Sequence, residues 1–173
     1  DTSIFLASRG EKLGYKIFYY DPKNLSIINN KVIAKGNYII INYLKKRFYK
    51  IVKSEKLDLS KVKFILIRQD PPFNLEYIST TYILDMIKDK VKIINNPTAI
   101  RNMSEKLYSA KFSKHMPDTL FTREFSEISK FFKKHKKIIL KPIHSYSGND
   151  IIFIKQLWII GFQLSSKDRK LIE

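Results

Sequence analysis

The stretch "KVKFILIRQD", Lys61 to Asp70, constrains the fold more than any other part of the chain. Phe64 to Ile67 form an unbroken apolar run, as in a strand buried between layers. The run breaks straight into Arg68, Gln69 and Asp70, so these polar groups stand at the strand's carboxyl end. Asn74 then caps a helix through about Lys88, with Tyr77, Ile78, Tyr82, Leu84 and Ile87 as its apolar positions. A short strand, Val91 to Ile94, follows and stops at "NNP". Strand, helix, strand in this order predicts an α/β sheet with helical crossovers.

The preceding segment fits that class. "DTSIFLASRGEKLGY" reads as a helix capped by Asp1 or Thr2 and stopped at Gly14. Lys16 to Tyr20 reads as a strand ended by Asp21-Pro22, and "LSIINNKVIAKG" as a hairpin turning at Asn29-Asn30. "NYIIINYLKKRFYKIVK" favours strands through its β-branched and aromatic content. After Pro97 the pattern changes: a short helical turn, a helix from Ser104, a strand "TLFT" and a helix from about Glu124 to His135. A hairpin closes the pattern, Ile138 to Leu140 pairing with Ile151 to Ile154. A domain boundary falls between Pro97 and Ser104.

Composition narrows the chemistry. The chain has 173 residues, a net charge of +17 and no cysteine. Disulfides, thiolate metal sites and a cysteine nucleophile are thereby excluded, which suits a reducing, cytoplasmic setting. The positive charge invites a nucleic-acid reading, supported by lysine mixed with aromatics at "YLKKRFYK". Scattered lysines, with heavy isoleucine and asparagine use, favour a solvated surface instead. No apolar run is long enough to span a bilayer as a helix. The chain opens on Asp1 rather than methionine, as a piece of a longer protein would.

Several residues carry candidate chemistry. Arg68 and Asp70, at a strand's carboxyl end, suit recognition of a carboxylate-bearing or zwitterionic molecule; a structural Arg-Asp pair accounts for them equally well. Pro71-Pro72 is expected to hold their loop extended. Lys106 falls on the first turn of the helix from Ser104, where one lysine is ordinarily solvated. Lys141 ends an apolar strand, where a buried ammonium would need an anionic partner. In "HSYSGND", Ser145, Ser147 and Gly148 would let backbone amides approach phosphate oxygens. His115, His135 and His144 share no metal-ligand spacing, and the first two read as solvated. Walker, G-x-G-x-x-G and G-x-S-x-G signatures are all missing.

At "RQDPPFNLEYISTTYILD", "NNPTAIRNMSEKLYSAKF" and "IILKPIHSYSGNDI" the chain resembles bacterial glutathione synthetases, members of the ATP-grasp superfamily, from Asp1 to about Lys155. The resemblance implies a pre-ATP-grasp, Rossmann-like α/β domain over residues 1–100. The smaller subdomain of an ATP-grasp fold would then occupy 101–155. It implies ATP and magnesium as cofactors, γ-glutamylcysteine and glycine as substrates, and a homo-oligomer in the full-length family. By position, Lys106 and Lys141 would contact ATP phosphates. Ser145, Ser147, Gly148 and Asn149 would form the flap over the γ-phosphate. Arg68 and Asp70 would line the peptide-substrate wall.

The sequence departs from the family in three places. The first strand is missing, which would expose apolar sheet edges. Ser145 and Ser147 stand where related chains carry glycine. Residues 156–173 resemble nothing in the family and read as a frame-shifted tail, so magnesium and adenine ligands are expected elsewhere. The resulting expectation is a synthetase fragment that is inactive alone; a basic nucleic-acid module and a non-functional remnant are the alternatives.

Overall fold

The computed structural model describes residues 2–42 and 48–156. It divides into two compact units, Asp1–Asn102 and Met103–Glu173. The Asp1 cap, most of "YLKKRFYK" and nearly all of the tail after Lys155 lie outside the described residues.

The first unit is mixed α/β. Helix α1 (Thr2–Lys12) leads through Gly14, at φ +83, to strand β1 (Ile17–Tyr19). Asp21 accepts a hydrogen bond from the Lys23 amide and starts a 3-10 turn, Pro22–Asn24. Strands β2 (Leu25–Ile28) and β3 (Lys31–Ile41) form the hairpin expected at Asn29-Asn30. Both asparagines adopt positive φ, 49 and 59, as a tight two-residue turn requires. Strand β4 (Tyr49–Asp58) pairs antiparallel with β3, so the ambiguous 37–53 segment is strand at 37–41 and 49–53. The ladder slips between Tyr38 and Ile39: Tyr38 faces Lys53, Ile39 faces Ile51, and Val52 is left over as a bulge.

Strand β5 (Phe64–Leu66), helix α2 (Leu75–Asp85) and strand β6 (Lys92–Ile94) make the crossover, with β5 and β6 parallel. Asn74 Oδ1 accepts the Tyr77 amide at 3.0 Å, the cap predicted for α2. The helix ends at Asp85, earlier than expected; turns occupy residues 86–90. Ile65, Ile67, Leu84, Ile87 and Val91 share one core with Val32, Ala34 and Leu59. Two expectations fail here. Leu66 and Ile94 are exposed, so the face of β5 opposite Ile65 is covered only in part, by the Tyr15 ring over Phe64. Tyr82 is also exposed, while Thr80 and Thr81 turn inward, their hydroxyls satisfied by Glu76 and Ile78 carbonyls.

Gly36 sits where the sheet leaves no room for a side chain. A Cβ there would stand 2.4 Å from the Tyr19 carbonyl oxygen and 2.8 Å from Tyr20 Cβ. The obstacle is largely backbone, which cannot swing aside. Gly36→Ala is therefore expected to cost roughly 1–3 kcal/mol, read as a lowered midpoint in denaturant unfolding.

After helix α3 (Pro97–Asn102) comes the second unit. The helix expected from Ser104 is instead a 3-10 segment, Leu107–His115, kinked at Phe112. The "TLFT" strand does not form. Thr119 Oγ1 donates to the Pro117 carbonyl and Thr122 Oγ1 accepts the Glu124 amide, so side chains there serve local turns. Helix α4 (Phe125–His135) ends at Lys136 in the left-handed region, φ 64. Strands β7 (Ile138–Leu140) and β8 (Ile152–Ile154) pair antiparallel as expected.

Candidate functional site

The second unit builds its site from an alternating hairpin. Ile138 and Ile154 bury against Ile128 and Phe132 of α4, with Leu140 and Ile152 packed alongside. Strand periodicity sends the cross-strand pair Ile139 and Phe153 to the opposite face, where they are 50% and 65% exposed. Residues of both faces line a cavity of about 930 Å³, Ile138 and Ile154 as well as Ile139 and Phe153. Lys106, Lys141, Arg123 and Asp150 also line it. The cavity is large enough for a cofactor-sized ligand.

Lys106 is half-buried, not solvated. Its ammonium donates to the Pro142 carbonyl, to the Ser145 carbonyl at 2.6 Å and to Ser145 Oγ at 3.0 Å. Ser145 Oγ in turn donates to the Pro142 carbonyl at 3.1 Å. Lys141, expected to be buried against an anion, is exposed and makes no hydrogen bond or ion pair among the described residues. The roles of the two lysines are thus exchanged. β7 ends at Leu140, so its next side chain opens toward the cavity, whereas Lys106 lies at the start of its 3-10 segment and reaches the loop.

The loop from Ser145 to Asn149 is exposed apart from Ser145 itself. Ser147, Gly148 and Asp150 all adopt positive φ, 54, 75 and 57. Serine at 147 therefore enters the left-handed region despite its side chain. The Asn149 amide donates to the Tyr146 carbonyl at 3.0 Å.

In the first unit, Arg68 and Asp70 are exposed and form no ion pair with each other. Arg68 Nε instead donates to Ser3 Oγ of α1 at 3.3 Å. Burial pushes the Tyr77 phenol up; Arg68 opposes the shift and Asp70 adds to it, so both charges reach that ring. Gln69 turns inward, its Oε1 buried with no hydrogen-bond partner among the described residues. The loop bends at Pro71, where the Pro71-Pro72 peptide is cis, rather than running extended.

His115 is exposed, as expected, but His135 is largely covered. Its ring lies 4.3 Å from that of Phe131, and Nε2 is 3.4 Å from Asp118 Oδ2. A hydrogen bond from Lys134 holds the Asp118 carboxyl below its usual range. Among the described residues no group of three or more histidines or carboxylates could hold a metal ion.

Sequence reasoning missed one cluster. Arg101 pairs with Asp85, donates to Thr81 Oγ1 at 3.1 Å and lies 4.2 Å over the Tyr82 ring. Thr98 Oγ1 donates to both Asp85 oxygens at 3.0 Å. An arginine and an aspartate sixteen residues apart, on separate helices, leave no local spacing signal.

Two family models match this chain. The N-terminal domain of prokaryotic glutathione synthetase covers residues 1–101, and its ATP-grasp domain covers residues 105–159. The chain belongs to the prokaryotic glutathione synthetase family. Relatives named glutathione synthetase include one from Mesorhizobium japonicum, 35% identical over 156 residues, which is 90% of this chain and 50% of the relative. One from Brucella melitensis is 33% identical over 171 residues, 99% of this chain and 52% of the relative. One from Escherichia coli is 34% identical over 157 residues, 90% of this chain and 50% of the relative. The chain spans about half the length of these synthetases. The fold is accordingly an N-terminal synthetase domain followed by part of an ATP-grasp domain. No helix among the described residues is long and apolar enough to cross a membrane.

Proposed function

We propose that residues 101–155 form one side of an ATP clamp within a glutathione synthetase. The observation that carries this reading is the shared cavity. Lys106 and Lys141 line one hollow together with apolar side chains that include Ile139 and Phe153. Cationic groups beside an apolar wall match the two halves of a nucleotide, a polyphosphate and a planar base. Lys141, with no partner to give up, offsets phosphate charge directly. Ser145, Ser147, Gly148 and Asn149 make the loop over the phosphates, and Arg68 and Asp70 belong to the peptide-substrate wall.

In the complete reaction, the γ-phosphoryl group of ATP passes to the cysteinyl carboxylate of γ-glutamylcysteine, and ADP leaves. The amine of glycine then attacks the acyl carbon, the amide bond forms and inorganic phosphate departs. The residues described here supply phosphate charge compensation and loop cover. Among them no group of three or more histidines or carboxylates gathers, and no step is assigned through the metal. The chain alone is therefore expected to bind ATP without making glutathione.

Calorimetric titration with ATP tests this. Wild-type chain should bind, and Lys141→Met should weaken binding about tenfold, the effect of removing one charged contact. Unchanged affinity in Lys141→Met would remove the cavity from consideration as a phosphate site. Glutathione formed from ATP, γ-glutamylcysteine and glycine by purified chain would refute the expected inactivity.

A further inference from the structure

Lys106 is fixed at both ends. Its carbonyl accepts the Ser109 amide at 3.3 Å and the Ser109 hydroxyl, which holds the backbone that carries the side chain. Its ammonium has three N–H donors and three partners: the Pro142 carbonyl, the Ser145 carbonyl and Ser145 Oγ. All three lie in the loop joining β7 to β8, 36 and 39 residues further along the chain.

Among the described residues, no other hydrogen bond or ion pair ties that loop to another element. The rest of its bonds are internal: the Ser145 amide and hydroxyl to the Pro142 carbonyl, and the Asn149 amide to the Tyr146 carbonyl. Ser147 and Asp150 adopt positive φ, a region that residues with side chains enter at a steric cost. Tyr146 to Asp150 are exposed, and the apolar core of the unit lies in the helix and strands on either side. The loop has little of its own to keep one shape.

We propose that Lys106 is a positioning residue for the nucleotide: its ammonium holds the start of the β7–β8 loop in the shape that covers the phosphates, and Lys141 makes the direct phosphate contact. The identity of the ligand rests on the nucleotide reading above; the anchoring rests on the three hydrogen bonds themselves. Pro142 restricts the residue before it to extended backbone, and Lys106 fixes the carbonyl just after. Lys141 is thus held on its backbone while its side chain stays free. A loop ordered before the ligand arrives also takes that ordering cost out of binding. Phosphate then settles under a loop already in place and steadies it further.

The chain contains no cysteine, so Lys106→Cys carries a single thiol. Alkylation with 2-bromoethylamine restores a primary ammonium at nearly the length of lysine. Alkylation with (2-bromoethyl)trimethylammonium restores the charge without an N–H donor. With no anion present, amide exchange across 143–149 should be about tenfold faster in the trimethylammonium form than in wild type, and should return to the wild-type rate in the aminoethyl form. Exchange in α4, β7 and β8 should match wild type in both, which shows that they are folded. Equal loop exchange in the two alkylated forms would overturn the anchoring. Calorimetry should find ATP bound about tenfold more weakly by the trimethylammonium form, and bound ATP should slow loop exchange in wild type. Equal affinity in the two forms, or a loop that exchanges faster with ATP bound, would overturn the positioning role. Ser145→Ala separates positioning from a direct contact between Lys106 and phosphate. It should weaken ATP binding in the aminoethyl form and change nothing further in the trimethylammonium form, where the bond is already lost. Equal losses in both forms would count against positioning. ATP that fails to bind wild type would overturn the nucleotide reading and the positioning with it, while the anion-free comparison still decides the anchoring.

Discussion

Phe132→Ala should unfold the helix and hairpin that carry Lys141. The core of the second unit consists of Ile128, Phe132, Ile138 and Ile154, and Phe132 is the largest of them. It is 8% exposed, so truncation removes nearly a whole aromatic side chain from a packed site. Such substitutions cost about 3–5 kcal/mol, comparable with all the stability that so small a core supplies. The measurable outcome is loss of exchange protection over 125–154 with protection at Ile65, Leu84 and Val91 retained, since those residues sit in a separate core. Retained protection in α4 would show that other contacts hold the unit. ATP binding should disappear together with the protection, because the cavity wall comprises the back of the same hairpin.

Arg101→Met should be nearly as damaging in the first unit, about 3 kcal/mol at neutral pH, because it strands a largely covered Asp85 without its partner. The side chains of Arg101 and Asp85 are only 14% and 16% exposed. Burial pushes the Asp85 carboxyl up, but hydrogen bonds from Arg101 and Thr98, with the charges of Arg101 and Lys88, outweigh it and hold the group below 3.8. A lowered folded-state value means that this stabilisation is present above 3.8 and fades as pH falls through the lower folded value. Without the guanidinium the balance moves toward burial, and protonating Asp85 relieves the variant. The stability gap between wild type and Arg101→Met should thus be wide at pH 7 and narrow below the ordinary carboxyl value. Denaturant unfolding across acid pH measures it; a gap independent of pH would mean that the loss comes from packing over Tyr82 instead.

Elements announced by their own residues were legible in the sequence. Asn29-Asn30 dictated a hairpin because the turn needs positive φ, and Asn74 dictated a helix start because its side chain replaces a missing backbone partner. β7 and β8 were legible from two apolar runs around a polar loop. What escaped depended on distant partners. Lys106 looked solvated because its acceptors lie 36 and 39 residues away in a loop whose path no local pattern reveals. Thr80 and Thr81 are buried because their hydroxyls bond to carbonyls one helical turn back, a self-sufficiency that polarity scales ignore. Tyr82 looked like core by periodicity, yet it serves as the floor beneath Arg101. "TLFT" carries strand formers but has no neighbouring strand to pair with, and propensity cannot supply one.

The leftover residue Val52 has a consequence for how the molecule behaves in a crowded solution. Among the described residues β4 pairs with β3 alone, so its outer rim offers free amides and carbonyls. A straight rim of that length would template stacking by identical molecules into fibrils. The kink at Val52 breaks the rim's register midway, and Lys50, Lys53 and Lys56 put charged side chains along the strand, Lys53 paired with Glu55. An incoming copy would meet a bent, strongly charged border, which works against the strand recruiting its own kind.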